Sequence, residues 1–137
     1  MSKISGPLLD RIDIHIEVPA VPFEELSARK TTTETSEMMR GNVVKARRAQ
    51  AERFGSGPVR YNALMTSRQV RQYCELEQSG KEMLRAGVES LGLSARAHDK
   101  ILRVARTIAD IAGSEAIGEE HLAEAISYRN LDADLWV

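Results

Sequence analysis

The residues in this sequence best suited to chemistry are arginines and one lysine. Arg96, Lys100 and Arg103 are spaced i, i+4, i+7, which places three cations on one face of a helix that opens just before Arg96. Cations that begin at a helix N-terminus suit an anionic ligand, because the unpaired backbone N–H groups there add to the same field. The same stripe would also serve as a solvated face opposite an apolar one. Arg106 lies off the stripe and reads as a structural pairing residue. Arg11 sits between Asp10 and Asp13, so a local ion pair is one use for it. A guanidinium is also planar, always charged and able to fork onto phosphate oxygens. A third group is broader. Residues 38–71 hold Arg40, Lys45, Arg47, Arg48, Arg53, Arg60, Arg68 and Arg71 against Glu52 alone, a net charge of +7. Residues 1–37 sum to −3 and residues 114–137 to −5, and the whole chain to −1. A basic block between acidic flanks permits contact with nucleic acid or another phosphate. Arg40, Arg47 and Arg48, on one long helix, are its candidate DNA contacts. Only Tyr61 and Tyr73 are aromatic nearby, which favours contact with a phosphate backbone over base stacking. Solvation, or contact with a neighbouring subunit, would use the same block equally well.

Other chemistries lack their parts. Asp13 and His15 share a strand face, but two ligands are too few for a metal. His98 and His121 are isolated, and no Ser-His-Asp or Cys-His set can be assembled. Cys74 is the single cysteine, so no internal disulfide and no cysteine-rich zinc site can form. It has no activating neighbour and reads as a packing residue, and such cysteine usage suits the reducing cytoplasm. No Gly-x-x-x-x-Gly-Lys-Ser/Thr loop occurs in the 137 residues. No apolar run approaches the roughly 18 residues that a membrane helix needs, and residues 1–6 lack the apolar stretch of a signal peptide.

The elements that must position these residues are mostly helices. At 137 residues, 42% apolar and 28% charged, the chain is sized for one globular domain. Six aromatic residues leave the core to Leu, Ile, Val, Ala and Met. Residues 11–18 alternate strictly, with Ile12, Ile14, Ile16 and Val18 on one face and Arg11, Asp13, His15 and Glu17 on the other. That pattern predicts a half-buried strand ended by Pro19. Everything after Pro22 reads as helix. Residues 33–54 form a long one with Met39, Val43, Ala46 and Phe54 along its packing side, stopped by Gly55-Ser56-Gly57-Pro58. Met38 also reads as a packing residue. Thr66 or Ser67 caps a short helix that runs to Cys74, and another spans about 77–91 before Gly92. Ser94 caps the next, which runs to Ala112 ahead of Gly113 with Ile101, Val104, Ala105, Ile108 and Ala112 inward. The last covers 118–129 with Leu122, Ala125 and Ile126 inward, and the tail with Trp136 has no period. A single strand cannot satisfy its own backbone groups, so its sheet is expected outside this chain, in a larger protein.

Several stretches together resemble one family. Residues 4–19, Ile-Ser-Gly-Pro-Leu-Leu-Asp-Arg-Ile-Asp-Ile-His-Ile-Glu-Val-Pro, are similar to the ComM (YifB) family of magnesium-chelatase-like AAA+ ATPases. So are Leu93-Ser94-Ala95-Arg96-Ala97 through Arg103-Val104-Ala105-Arg106-Thr107-Ile108-Ala109-Asp110, and the closing stretch from His121 to Arg129. Val44, Ala46-Arg47, Gln50 and Arg53-Phe54 fit the family's middle helix. The likeness covers nearly the whole chain in the family's order.

The resemblance implies a mainly α, helical-bundle AAA+ lid domain preceded by a strand remnant of the α/β core. Residues 1–20 would be that remnant and residues 21–137 the lid. Within the lid, 33–54 would be a helix inserted before sensor 2 and 94–112 the sensor-2 helix. Arg11 would be the arginine finger, acting on a neighbouring subunit's nucleotide. Arg96 would be the sensor-2 arginine that reads the γ-phosphate, with Lys100 and Arg103 beside it. The intact protein would be a homo-oligomeric ring using ATP and Mg²⁺ to drive DNA branch migration in natural transformation. Its P-loop core would lie upstream, so this stretch alone is expected to hold no cofactor and to hydrolyse no ATP. Two alternatives remain open. One is a magnesium chelatase subunit that drives metal insertion into a porphyrin. The other is a non-enzymatic DNA-binding module, in which 94–112 and 118–129 form a loose helix-turn-helix around Gly113-Ser114-Glu115. Glu119, Glu120 and Glu124 on its second helix would repel phosphates.

Overall fold

The computed structural model describes Leu8, residues 11–24 and residues 34–129. Among these residues five complete helices follow in order: α1 (Ser36–Phe54), α2 (Ser67–Tyr73), α3 (Gln78–Ser90), α4 (Ala95–Ala112) and α5 (Glu119–Ser127), with a 3₁₀ turn at Asn62–Leu64 between α1 and α2. N-cap hydroxyls set three of the starts. Thr35 Oγ1 accepts from Met38 N at 3.2 Å, and Ser94 Oγ accepts from Ala97 N at 3.2 Å. Thr66 forms a reciprocal capping box with Gln69, which assigns the cap of α2 to Thr66 rather than Ser67. Gly113, at φ 73°, ends α4 in the left-handed conformation that a residue with a Cβ avoids.

α4 is the central element and packs against α1, α2, α5 and the 3₁₀ turn. Its Ile101, Leu102, Ala105 and Ala109 meet Met65, Val70, Cys74, Leu76, Leu84, Ile117, Leu122 and Ala125 in one core. The small residues Ala105, Ala109 and Ala125 let the helices approach closely, and Phe54 and Tyr73 meet edge to face at 5.6 Å. Being surrounded, α4 buries a wider face than its periodicity predicts. Val104 and Ile108 are half-buried, Arg106 and Asp110 are buried, and Ala112 is exposed at the helix end. On α5, Leu122 and Ala125 are inward, with Ile126 against Gly87 of α3.

Two expectations are corrected. Residues 11–18 form no strand, and no strand pairs with them among the described residues. The expected burial is also absent: Ile12, Ile14, Ile16 and Val18 are exposed, as are Arg11, Asp13 and Glu17, and only His15 is buried. The cause is how the backbone is satisfied. His15 N–H donates to the Tyr128 carbonyl at 2.8 Å, at the end of α5, and side chains of α4 and Arg129 take nearby carbonyls. Polar bonds to helices replace a ladder, and the apolar face turns outward. The second correction is in α1. Met38, Met39, Val43 and Val44 are all exposed, and only Ala46 and Gln50 are buried. Lys45 Nζ already lies beside Gly113, 3.9 Å from where a Cβ would stand at the end of α4. The turns of α1 before Lys45 therefore overhang the helix they would pack on. Trp136 and the rest of 130–137 lie outside the described residues.

Candidate functional site

Arg11 stands on a turn closed by its N–H to the Leu8 carbonyl at 3.0 Å. Its side chain is exposed, and its guanidinium makes no ion pair among the described residues. Asp13, one of its two local partners by sequence, is taken by Lys100, whose Nζ lies 2.6 Å from Asp13 Oδ1. The other, Asp10, lies outside the described residues. The same Lys100 ammonium donates to the Arg11 carbonyl at 2.7 Å. The next carbonyl, of Ile12, accepts from Nη1 of the buried Arg129. Lys100 comes from α4 and Arg129 from just past α5, so two helices hold three consecutive residues and leave the Arg11 side chain outside.

The basic stripe of α4 divides by exposure. Arg96, in the first turn after the Ser94 cap, is exposed. Lys100 is tied to residues 11 and 13, and Arg103 Nη2 donates to the Met65 carbonyl at 2.7 Å. Arg96 is thus exposed at the helix N-terminus, and Lys100 and Arg103 hold neighbouring chain. Arg40, Arg47 and Arg48 are exposed along α1, with the Arg47 guanidinium 3.9 Å above the Tyr61 ring. Arg106 pairs as its position suggested. Its Nε lies 3.2 Å from Asp110 Oδ1, and it caps the Ser114 and Glu115 carbonyls at 2.6 and 2.8 Å.

A buried polar cluster was not singled out from the sequence. Arg53 of α1 donates to both oxygens of Asp110, at 2.8 and 2.5 Å, and to Asn62 Oδ1 at 2.9 Å. Asn62 Nδ2 donates to Asp110 at 2.8 Å and to Thr107 at 3.0 Å, and Gln50 Oε1 accepts the Asn62 N–H at 3.0 Å. The Asp110 hydrogen bond, and then its charge, hold the Arg53 guanidinium above its ordinary range against the opposing effect of burial. The one local sign of this cluster was the i, i+4 spacing of Arg106 and Asp110. Two histidines and the cysteine have structural work. His121 Nδ1 accepts the Gly118 N–H at 2.9 Å and so caps α5, and His98 Nδ1 lies 3.2 Å from Asp99. Burial pushes the Cys74 thiol up to about 11. Among the described residues no three His, Cys, Asp or Glu side chains converge as a metal site, and no helix is long and apolar enough to cross a membrane.

Comparison with known proteins decides the family. Residues 33–129 match the family described as magnesium chelatase, subunit ChlI C-terminal. The chain belongs to this family. Residues 1–26 match the companion family, magnesium chelatase, subunit ChlI. The chain is 41% identical over 129 residues to competence protein ComM of Haemophilus influenzae, a match covering 94% of this chain and 25% of that protein. It is 40% identical over 132 residues to YifB of Escherichia coli, covering 96% and 25%. A Mycobacterium bovis relative is 32% identical over 133 residues, covering 97% and 26%. The chain is therefore a ComM and YifB homologue in the magnesium-chelatase-like group, all-helical among its described residues. It spans about a quarter of the length of the curated relatives it matches.

Proposed function

We propose that this chain is the lid and finger segment of a ring-forming AAA+ ATPase that couples ATP hydrolysis to DNA remodelling in the cytoplasm. Residues 1–20 belong to the end of its α/β core and residues 21–137 to the lid. Arg11 acts on the nucleotide of a neighbouring subunit, and Arg96 reads the γ-phosphate. The observation that carries the reading is the state of Arg11. Lys100 has taken Asp13, and the Arg11 guanidinium faces solvent from a backbone gripped by two helices. An arginine used only for a surface ion pair needs no such mount.

The residues fit part of an ATP–Mg²⁺ site. Two exposed guanidiniums match the outer phosphate oxygens in charge and geometry. The metal's ligands fall to residues other than those described, since no acidic cluster is present among these. When bound, ATP–Mg²⁺ supplies the phosphoryl group that passes to water. Arg11 would neutralise the charge that develops on that group, an effect worth about 10³–10⁵ in rate for arginine fingers. Arg96 would orient toward the terminal phosphate at the start of α4, and Arg40, Arg47 and Arg48 would meet a DNA backbone. Lys100 and Arg103 add positive potential beside Arg96 while they hold the chain together.

A relative named competence protein ComM supports the reading of DNA remodelling in natural transformation over a role in porphyrin metallation. The family description keeps the second reading, a chelatase motor subunit, in view. Metal insertion into protoporphyrin by the full-length protein with its partners would favour it. The helix-turn-helix reading is disfavoured because Glu119, Glu120 and Glu124 are all exposed on α5. The test of the proposal is ATP turnover by the full-length protein. Arg11→Ala should lower kcat by about a hundredfold or more with ATP binding retained, and Arg96→Ala should impair turnover as well. Wild-type turnover by Arg11→Ala would overturn the finger assignment.

A further inference from the structure

We infer that Lys100 and Arg129 are positioning residues that latch the Arg11 segment to the lid, so that movement of α4 is carried to the Arg11 guanidinium. The inference rests on the reading of Arg11 as a finger and adds what controls it. Four polar contacts within residues 11–15 define the latch. Lys100 Nζ donates to the Arg11 carbonyl at 2.7 Å and to Asp13 Oδ1 at 2.6 Å. Arg129 Nη1 donates to the Ile12 carbonyl, and His15 N–H donates to the Tyr128 carbonyl at 2.8 Å.

These contacts fasten the segment to α4 and to the end of α5. Ile12, Ile14 and Ile16 are 40%, 48% and 64% exposed, so the segment is not packed as a core strand would be. Beneath the segment a groove of about 490 Å³ remains open between Ile14 and Ile16 on one side and Val104, Ile108 and Ile111 on the other. A segment held by a few directional bonds over an unfilled groove moves with the groups that hold it. Lys100 and Arg129 are suited to hold. The Lys100 side chain is 11% exposed and Arg129 is buried, which fixes both donors against their own elements.

The placement on α4 gives the latch its consequence. Arg96 is four residues before Lys100, about one turn or 6 Å along the same helix. A displacement of the start of α4 by an anion at Arg96 therefore reaches the backbone of Arg11 through a single lysine. One subunit's own phosphate sensor and the finger it extends to a neighbour are then mechanically one part. A charge-relay or binding role for Lys100 would not need the Arg11 peptide carbonyl as its second acceptor.

The test uses the full-length protein with two independent readouts. The first is hydrogen exchange at the backbone amides of residues 13–16. Lys100→Met should speed exchange there by about tenfold while the α2 and α3 amides keep their rates. Lys100→Arg, or Lys100→Asp combined with Asp13→Lys, should restore part of the protection. The second readout is steady-state ATP turnover. Lys100→Met should lower kcat by about tenfold with KM for ATP within about twofold, because a mispositioned finger weakens the transition state and leaves ground-state binding intact. Arg129→Met should act in the same direction, and the Lys100 variants keep the test sound if that buried change disturbs folding. Unchanged exchange in Lys100→Met would show that no latch exists. Faster exchange with unchanged kcat would refute the positioning role. Loss of turnover in Arg11→Ala with full turnover in Lys100→Met would sink this inference alone. Full turnover in Arg11→Ala would sink the finger reading beneath it.

Discussion

Replacing Asp110 should unfold much of what holds α1 to the rest of the chain. Its carboxylate is 1% exposed and accepts four hydrogen bonds: two from Arg53 at 2.8 and 2.5 Å, one from Asn62 at 2.8 Å and one from Arg106 at 3.2 Å. Asp110→Asn keeps the shape and removes the charge. One of its two positions becomes an NH₂ aimed at another donor, and two guanidiniums lose their counter-charge. Breaking a buried pair from one side costs about 3–5 kcal/mol. Adding the four bonds separately at about 1.5–3 kcal/mol each would exceed that range and count the same desolvation repeatedly. We take about 3 kcal/mol, a large share of the roughly 5–15 kcal/mol that stabilises a domain. Urea unfolding followed by far-ultraviolet circular dichroism reads it directly, as a lower midpoint at unchanged slope. The control is a cycle with Arg53→Met, which should cost at least about 1.5 kcal/mol less in the Asp110→Asn background than in wild type. A loss below about 1 kcal/mol for Asp110→Asn, or an additive cycle, would show that the cluster is not the tie between α1 and α4.

Two further outcomes follow from burial. The Cys74 thiol, pushed up to about 11 from an ordinary 9.0, keeps its proton in the folded chain after the unfolded chain has lost it. Stability should therefore be intact below pH 9 and fall between pH 9 and 11, by at most about 2–3 kcal/mol, and Cys74→Ala should flatten that decline. The folded thiol should also react with a disulfide reagent at pH 8 about a hundredfold more slowly than in urea, and equal rates would contradict its burial. On the overhang of α1, Met39→Ser and Val43→Ser should each change the stability of this chain by no more than about 0.5 kcal/mol. A loss above about 1 kcal/mol would place them in a packed interface instead.

Helices were legible because their signals are local. Thr66, Ser94 and Gly113 mark ends by capping chemistry within three or four residues, and Ile101, Ala105, Leu122 and Ala125 keep helical spacing on buried faces. Arg106 was readable as a pairing residue for the same reason. What was illegible depends on partners far away in sequence. The alternation of residues 11–18 specifies which side chains share a face, and only the tertiary partner decides which face is covered. Here neither face is covered apart from His15, whose N–H is bonded to the Tyr128 carbonyl. Met39 and Val43 have the right periodicity, yet α4 ends beneath Lys45. The meeting of Arg53, Asn62 and Asp110 spans 57 residues and leaves no pattern in either neighbourhood. At the candidate site, the types and helical spacing of Arg96, Lys100 and Arg103 were readable, but the diversion of Lys100 to Arg11 and Asp13 across 89 and 87 residues was not.

The central claim is that Arg11 serves a neighbour's nucleotide from a lid-held segment. Mixing two inactive full-length proteins tests it most directly: one carrying Arg11→Ala, the other a P-loop defective in its own nucleotide site. If Arg11 acts across a subunit boundary, mixed rings contain intact pairs of P-loop and finger, and ATP turnover reappears in the mixture and scales with its composition. If each protein alone is inactive, mixed rings form and no turnover returns, Arg11 does not act in trans.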